Sequence, residues 1–281
     1  MTKRDLPIAR VPTRPGAKAD IAVSAIQRWN SDIQSAGSDK DEATISILDP
    51  IGADWFGDGV TAKRIAGALR NIGDRDVVVS INSPGGDFFE GLAIYNLLNE
   101  HPGAVTIKIL GLAASAASII AMAGDKIQIS RAAFLMIHNT WVLAAGDRHA
   151  FREVADWLEP FDAAAAEVYH ARSGIAEKEI ATMLDKETWI GGTEAVDLGL
   201  ADAILGDDAI AGGAQNNTKD NPVAATRQVD LLLARQGVTR SERRSLIAGL
   251  KGGTQDAAPS GTPRAAVAEL AQTALDKLNS I

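Results

Sequence analysis

The hydrophobic pattern changes character at Ala43. Ahead of it, residues 1–42 combine basic and proline positions (Arg10, Pro12, Arg14, Pro15), an apolar patch of helical spacing from Ile21 to Trp29, and a Ser/Gly/Asp-rich run to Asp41. This reads as an arm rather than a domain. From Ala43 onward, strand-like and helix-like stretches alternate. Thr44 to Leu48 alternates apolar and polar positions and stops at Asp49-Pro50-Ile51-Gly52, a turn. Val60 to Asn71 carries apolar residues at helical spacing, and Val77 to Ile81 is a short apolar run expected of a strand covered on both faces. After the loop Asn82 to Asp87, the pattern predicts a helix from Phe88 to Glu100, a strand at Thr106 to Leu110, a turn at Gly111 and a small-residue helix from Ala116 to Ala123. Strands follow at Lys126 to Ser130 and Phe134 to His138. Helices are then expected over Asp147 to Ala171, Ala176 to Leu184 and Thr193 to Leu198, with a final strand at Leu200 to Leu205. Such alternation argues for an α/β fold built from parallel βαβ units.

The stretch from Gly206 to Asn221 has linker composition, with Gly212-Gly213 and Asn216-Asn217, which places a domain boundary there. The expected organisation is an arm over 1–42, a main domain over 43–205, a linker over 206–225 and a helical C-terminal extension over 226–281. Within the extension, Val229 to Arg235 reads as helix, and Thr239-Arg240-Ser241-Glu242 has the capping-box pattern that opens a second one. From Ala265 to Ile281, Val267, Leu270, Ala271, Ala274, Leu278 and Ile281 form one helical stripe that needs a partner surface.

Composition narrows the function. The chain has 281 residues and 46% hydrophobic content, enough for a real core. A formal charge of −8 argues against a nucleic-acid binder, which normally carries a basic stripe. With no cysteine there is no disulfide framework, thiolate zinc site or thiol nucleophile. Met1 to Asp5 is not followed by an apolar leader segment, and the apolar run from Ala113 to Ala123 is too short to span a bilayer, so a soluble, non-membrane protein is expected.

Ser115 is the first candidate for chemistry. It stands between a strand and a helix, where unpaired backbone N–H groups favour negative charge beside the hydroxyl. Close helix-on-sheet packing or simple N-capping explains the same residues. The loop Asn82-Ser83-Pro84-Gly85-Gly86-Asp87 brings a backbone close to something and can offer the Gly86 N–H to an oxyanion, or it is a plain βα turn. It lacks the spacing of a phosphate loop. Of four histidines only His138 closes an apolar strand, the kind of place where α/β proteins put their sites. A carboxylate to orient its imidazole is offered by Asp185 and by Glu187, and spacing does not choose between them.

Together these residues carry a resemblance. Ile81-Asn82-Ser83-Pro84-Gly85-Gly86, Gly111-Leu112-Ala113-Ala114-Ser115, Met136-Ile137-His138 and Glu194-Ala195-Val196-Asp197-Leu198-Gly199-Leu200 resemble a ClpP-type serine protease over roughly Ala43 to Leu205. Four motifs in the right order are far more specific than any one. Asp49-Pro50-Ile51-Gly52, Gly86-Asp87 and Glu187-Thr188-Trp189 are most similar to the head-maturation (prohead) proteases of tailed phages and prophages. The resemblance implies a crotonase-like ββα spiral assembled into homo-oligomeric rings. It implies Ser115 as nucleophile, His138 as general base, and the N–H groups of Gly86 and Ala116 as the oxyanion hole. The family's catalytic aspartate falls on Glu187, one methylene longer, with Asp185 as the alternative acid.

The activity implied is a serine endopeptidase cleaving capsid and scaffold proteins, its own tail among the candidates, in the cytoplasm of a bacterium or infected host or within the prohead. No cofactor and no metal is called for. There is no Walker motif, so any ATP-driven unfolding has to come from another protein. Two other readings stay open because fold alone does not fix function. One is a catalytically silent assembly module; the other is a crotonase-type acyl-CoA enzyme, against which the Ser115 and His138 pair speaks.

Overall fold

The computed structural model describes residues 18–19, 21–35, 43–52, 59–206, 210–211, 229, 233 and 240–252. The chain divides into two units, residues 1–217 and 218–281. In the first, a sheet runs in the order β10 (Ala203–Leu205), β6 (Lys126–Ser130), β5 (Val105–Ala114), β4 (Val77–Ser83), β3 (Ala43–Ile47), with every neighbouring pair parallel. All seven residues of β4 are buried, as its continuous apolar run requires. Helices α2 (Ala62–Ile72), α3 (Phe88–Asn99) and α4 (Ala116–Ala121) form the crossovers.

Local chemistry sets the helix starts. Thr61 accepts a hydrogen bond from the Arg64 N–H at the start of α2. Asp87 accepts from the N–H groups of Phe89 and Glu90, which anchors the glycine loop to the first turn of α3. Beyond β7 (Phe134–Ile137), α5 (Arg148–Ser173) is a 26-residue helix closed by Gly174 in the left-handed conformation. Helix α6 (Glu177–Asp185), β9 (Thr188–Gly191) and α7 (Gly192–Asp197) then lead into β10.

Two expectations are corrected. Gly111 is not a turn: β5 continues through it to Ala114, and the chain turns one residue later, at Ser115. The register between β4 and β5 slips between the pairs Ile81–Ile109 and Ser83–Ala113, so β5 leaves β6 and continues alongside β7. Gly111 sits in this irregularity because a Cβ there would lie 2.7 Å from Ile33 Cδ1 and 2.9 Å from Asn82 Oδ1. Pairing is also not parallel throughout, since β9 joins β7 antiparallel. Its four residues, Thr188 to Gly191, are too short a run to stand out by periodicity. Within the stretch read as a linker, β11 (Ile210–Ala211) pairs antiparallel with β2 (Gln34–Ser35) of the arm.

The arm itself is docked. Its strand β1 (Lys18–Ala19) pairs with β8 (Val142–Leu143), and its helix α1 (Val23–Arg28) lies within the patch read as helical. In the second unit, α8 (Arg240–Gly252) starts at the predicted capping box, with Glu242 in its first turn. The stripe from Ala265 to Ile281, most of the expected helix from Val229 to Arg235 and most of the 206–225 linker lie outside the described residues. Among the described residues, no helix is long and apolar enough to cross a membrane.

The small residues after Ser115 are a packing device as well. Ala116 to Ala121 are all buried, and a Cβ on Gly91 of α3 would lie 2.8 Å from Ala116 Cβ. Gly91→Leu should therefore overpack the α3–α4 contact and cost about 1–3 kcal/mol, read as a lower urea midpoint at unchanged slope. An unchanged midpoint would show that the helices separate freely.

Candidate active site

Strand register assembles the site. In β5 and β7, Ala114 pairs with Met136; in β7 and β9, Met136 pairs with Trp189 and Ile137 with Thr188. Continuing these ladders by one residue places Ser115 beside the end of β7 and sets His138 opposite Glu187. The Ser115 N–H donates to the Met136 carbonyl at 2.8 Å, so the ladder extends to the serine itself. Ser115 Oγ and His138 Nε2 are 2.7 Å apart. Residues 23 and 72 positions from Ser115 in sequence thus converge because three strands share one register.

Ser115 and Glu187 are the two non-glycine residues with positive φ among the described residues, at 55° and 50°. Such a conformation is costly for a residue with a Cβ, and it recurs where the surrounding structure over-determines a functional side chain. Here the restraint is visible. Ser118 Oγ lies 2.6 Å from the Ser115 carbonyl, 3.0 Å from the Met136 carbonyl and 2.8 Å from Tyr169 Oη. Ser118 has one proton and both carbonyls only accept, so the Tyr169 hydroxyl donates to Ser118. Burial pushes the Tyr169 pKa well up and keeps that donor protonated.

His138 is half-buried, and its pKa is lowered by burial, which disfavours the imidazolium, while the nearby Glu187 carboxylate pulls it back up. Among the described residues no hydrogen bond joins Nδ1 to Glu187, so the influence acts through space. Glu187 Oε1 accepts from Ser24 Oγ at 2.5 Å and from Trp189 Nε1 at 3.4 Å. Asp185, the other candidate acid, is exposed and accepts from Asn139 Nδ2 at 2.8 Å.

The glycine loop lies against Ser115. A Cβ on Gly85 would be 2.7 Å from Ser115 Cβ and 3.2 Å from the Ala116 nitrogen. Gly86, at φ 152°, forms a parallel bridge with Ile51 in which Asp87 N–H donates to Ile51 and Ile51 N–H donates to Gly85. The bridge uses the neighbours' groups, which leaves the Gly86 N–H facing the opposite side. Any Cβ at Gly86 would fall 2.1 Å from the Ile51 carbonyl oxygen, so only glycine fits. Ala116 opens α4, where a helix has N–H groups without intrahelical acceptors.

Sequence reasoning singled out Ser115, His138, Glu187, Asp185, Gly86 and Ala116. The structure brings Ser115, His138 and the Gly85–Gly86 loop into contact, sets Glu187 near His138 by register and charge, and directs Asp185 to Asn139. Ser24 and Tyr169 were not foreseen. Ser24 is 163 positions from Glu187, and no local pattern links them. Among the described residues no cluster of three or more His, Cys, Asp or Glu is arranged to hold a metal ion.

Comparison with known proteins gives a concordant picture. The profile of the Clp protease family matches residues 41–208. The chain is 31% identical over 134 residues (47% of this chain, 66% of the relative) to a protein of Rhodococcus jostii named ATP-dependent Clp protease proteolytic subunit 3. It is 29% identical over 167 residues to subunit 1 of that name from Chlamydia abortus, covering 54% of this chain and 84% of the relative. A third, subunit 2 from Thermobifida fusca, is 30% identical over 157 residues, covering 53% and 76%. The matched span holds the candidate residues and excludes the arm.

The electrostatics make a prediction for pH. The His138 imidazole should titrate below its ordinary value near 6.5, and Glu187→Gln should lower it further by removing the charge that raises it. Because the unfolded chain then binds the proton more readily, His138's share of stability is complete above about pH 6.5 and is lost as pH falls through the folded value. Imidazole NMR titration of both proteins checks this; a His138 value at or above 6.5 would contradict the burial.

Proposed function

Because the chain belongs to the Clp protease family, we propose that it is a serine endopeptidase in which Ser115 attacks a peptide carbonyl, His138 is the general base and Glu187 the supporting acid. The observation that carries this reading is the 2.7 Å separation of Ser115 Oγ and His138 Nε2 at the ends of two adjacent parallel strands. That distance lies within reach for direct proton transfer.

As the hydroxyl attacks, His138 Nε2 takes its proton and becomes imidazolium. The lowered pKa keeps the imidazole neutral, hence able to accept, near neutral pH. The Glu187 carboxylate stabilises the imidazolium once formed. Negative charge develops on the former carbonyl oxygen, where the N–H groups of Gly86 and Ala116 are the donors this reading assigns. Removing one such donor typically costs roughly 2.7–4 kcal/mol of barrier. The imidazolium then protonates the departing amine, and water, activated by the same base, releases the acyl group from Ser115. Glu187 is favoured over Asp185 because it is opposite His138 in register and half-buried, whereas Asp185 is exposed and engaged by Asn139.

The substrates proposed are capsid and scaffold proteins of a phage or prophage, cleaved by a ring of identical subunits. Support comes from the similarity of Asp49-Pro50-Ile51-Gly52, Gly86-Asp87 and Glu187-Thr188-Trp189 to prohead proteases. The named relatives are proteolytic subunits of an ATP-dependent protease. No Walker motif occurs in this sequence, so an unfolding ATPase, where one is used, is a separate protein.

Intact mass of the purified protein, incubated alone and with the phage capsid protein, tests the reading. Wild type should shorten the capsid protein or its own 206–225 segment, and Ser115→Ala should reduce the rate by about 10⁴-fold or more. Equal cleavage by Ser115→Ala, or none by an assembled wild-type ring, would replace the protease reading with a silent assembly module.

A further inference from the structure

We propose that Ser24, on the arm helix α1, is a positioning residue for the reaction: its hydroxyl holds one oxygen of Glu187 so that the carboxylate stays turned towards His138. The inference rests on the reading of Ser115, His138 and Glu187 given above. Ser24 Oγ and Glu187 Oε1 are 2.5 Å apart, in the range of a hydroxyl donating to an ionised carboxylate. Trp189 Nε1 approaches the same oxygen at 3.4 Å. With Oε1 held on this side, Oε2 is the oxygen that the proposal assigns to the imidazole.

Helix α1 is placed to do this firmly. One turn beyond Ser24, the Arg28 guanidinium stacks 4.3 Å from the centroid of the Trp189 ring, so α1 contacts both Glu187, just ahead of β9, and Trp189 within it. Trp29, at the helix end, is buried and donates from Nε1 to the Asn82 carbonyl at 2.9 Å. Asn82 Nδ2 in turn donates to the carbonyls of Asn30 at 2.7 Å and Ile33 at 3.1 Å. Asn82 lies near the end of β4, just ahead of the loop that carries Gly85 and Gly86. The arm thus ties the acid's strand to the glycine loop that lies against Ser115.

The chemistry explains why a helper is needed here. A glutamate has one more rotatable bond than an aspartate, and more side-chain freedom must be lost to hold its carboxylate beside an imidazole. A positive φ of 50° restrains the Glu187 backbone, and the Ser24 hydroxyl restrains its far end. The family profile begins at residue 41, so Ser24 lies outside the part of the chain that the profile describes.

A fluorophosphonate probe that labels activated serines separates binding from chemistry. Its limiting labelling rate and half-saturation concentration are measured for full-length wild type and for Ser24→Ala, Ser24→Thr, Glu187→Ala and the Ser24→Ala/Glu187→Ala double variant. Alanine is a better helix former than serine, so Ser24→Ala does not threaten α1. The expected result is a limiting rate lowered about tenfold by Ser24→Ala, the kinetic equivalent of one hydrogen bond to a charged group. Half-saturation should be unchanged, Ser24→Thr should restore the rate, and Ser24→Ala should have no further effect once Glu187 is removed. A wild-type rate in Ser24→Ala, an equal loss in Ser24→Thr, or additive losses in the double variant would overturn the proposal. Undiminished labelling of Glu187→Ala or of Ser115→Ala would instead overturn the site reading beneath it.

Discussion

Ladder hydrogen bonding among β5, β7 and β9 is the constraint on which the site depends. Ser115 follows Ala114, the partner of Met136, while His138 follows Ile137 and Glu187 precedes Thr188, the partner of Ile137. A slip of one residue in either pairing would turn the following side chain to the opposite face and dissolve the site. The slip that does occur, between β4 and β5 at Ile81 and Ser83, is what carries β5 from β6 across to β7. Small residues around it, Gly111 in the irregularity and Gly91 against Ala116, let the strand and helix that flank Ser115 pack this closely.

Electrostatics at the site balances two opposed effects. Burial lowers the basicity of His138, while the Glu187 charge restores part of it. The result suits the neutral-at-rest base that the proposed reaction requires. Beneath it, Tyr169 and Ser118 pin the Ser115 and Met136 carbonyls, so the strained backbone of the serine is supported by a fully buried network. The same alanine-rich helix that reads as packing material also presents the first N–H groups beside the hydroxyl, and the two roles need the same small residues.

The arm links regions far apart in sequence. Residues 18–35 contribute a strand to β8, a strand to β11 and a helix whose Ser24, Arg28 and Trp29 reach Glu187, Trp189 and Asn82. A segment of mixed composition can hold such a position because it buries Ile21, Ala22, Ala25, Ile26 and Trp29 in addition to making these polar contacts.

The order of helices and strands was legible in the chain because period and punctuation are local properties. Val77 to Ile81 has to be a covered strand, and Asp147 to Ala171 has to be a helix. Ser115 and His138 stood out because each closes or follows a strand, and Gly86 because two adjacent glycines mark a close backbone approach. Tertiary structure alone decided where the chain turns at Ser115, that β9 runs antiparallel, and that Asp185 is exposed and engaged by Asn139. It alone brought Ser24 to Glu187. Those outcomes depend on register and on contacts up to 163 positions apart, which neither periodicity nor spacing encodes.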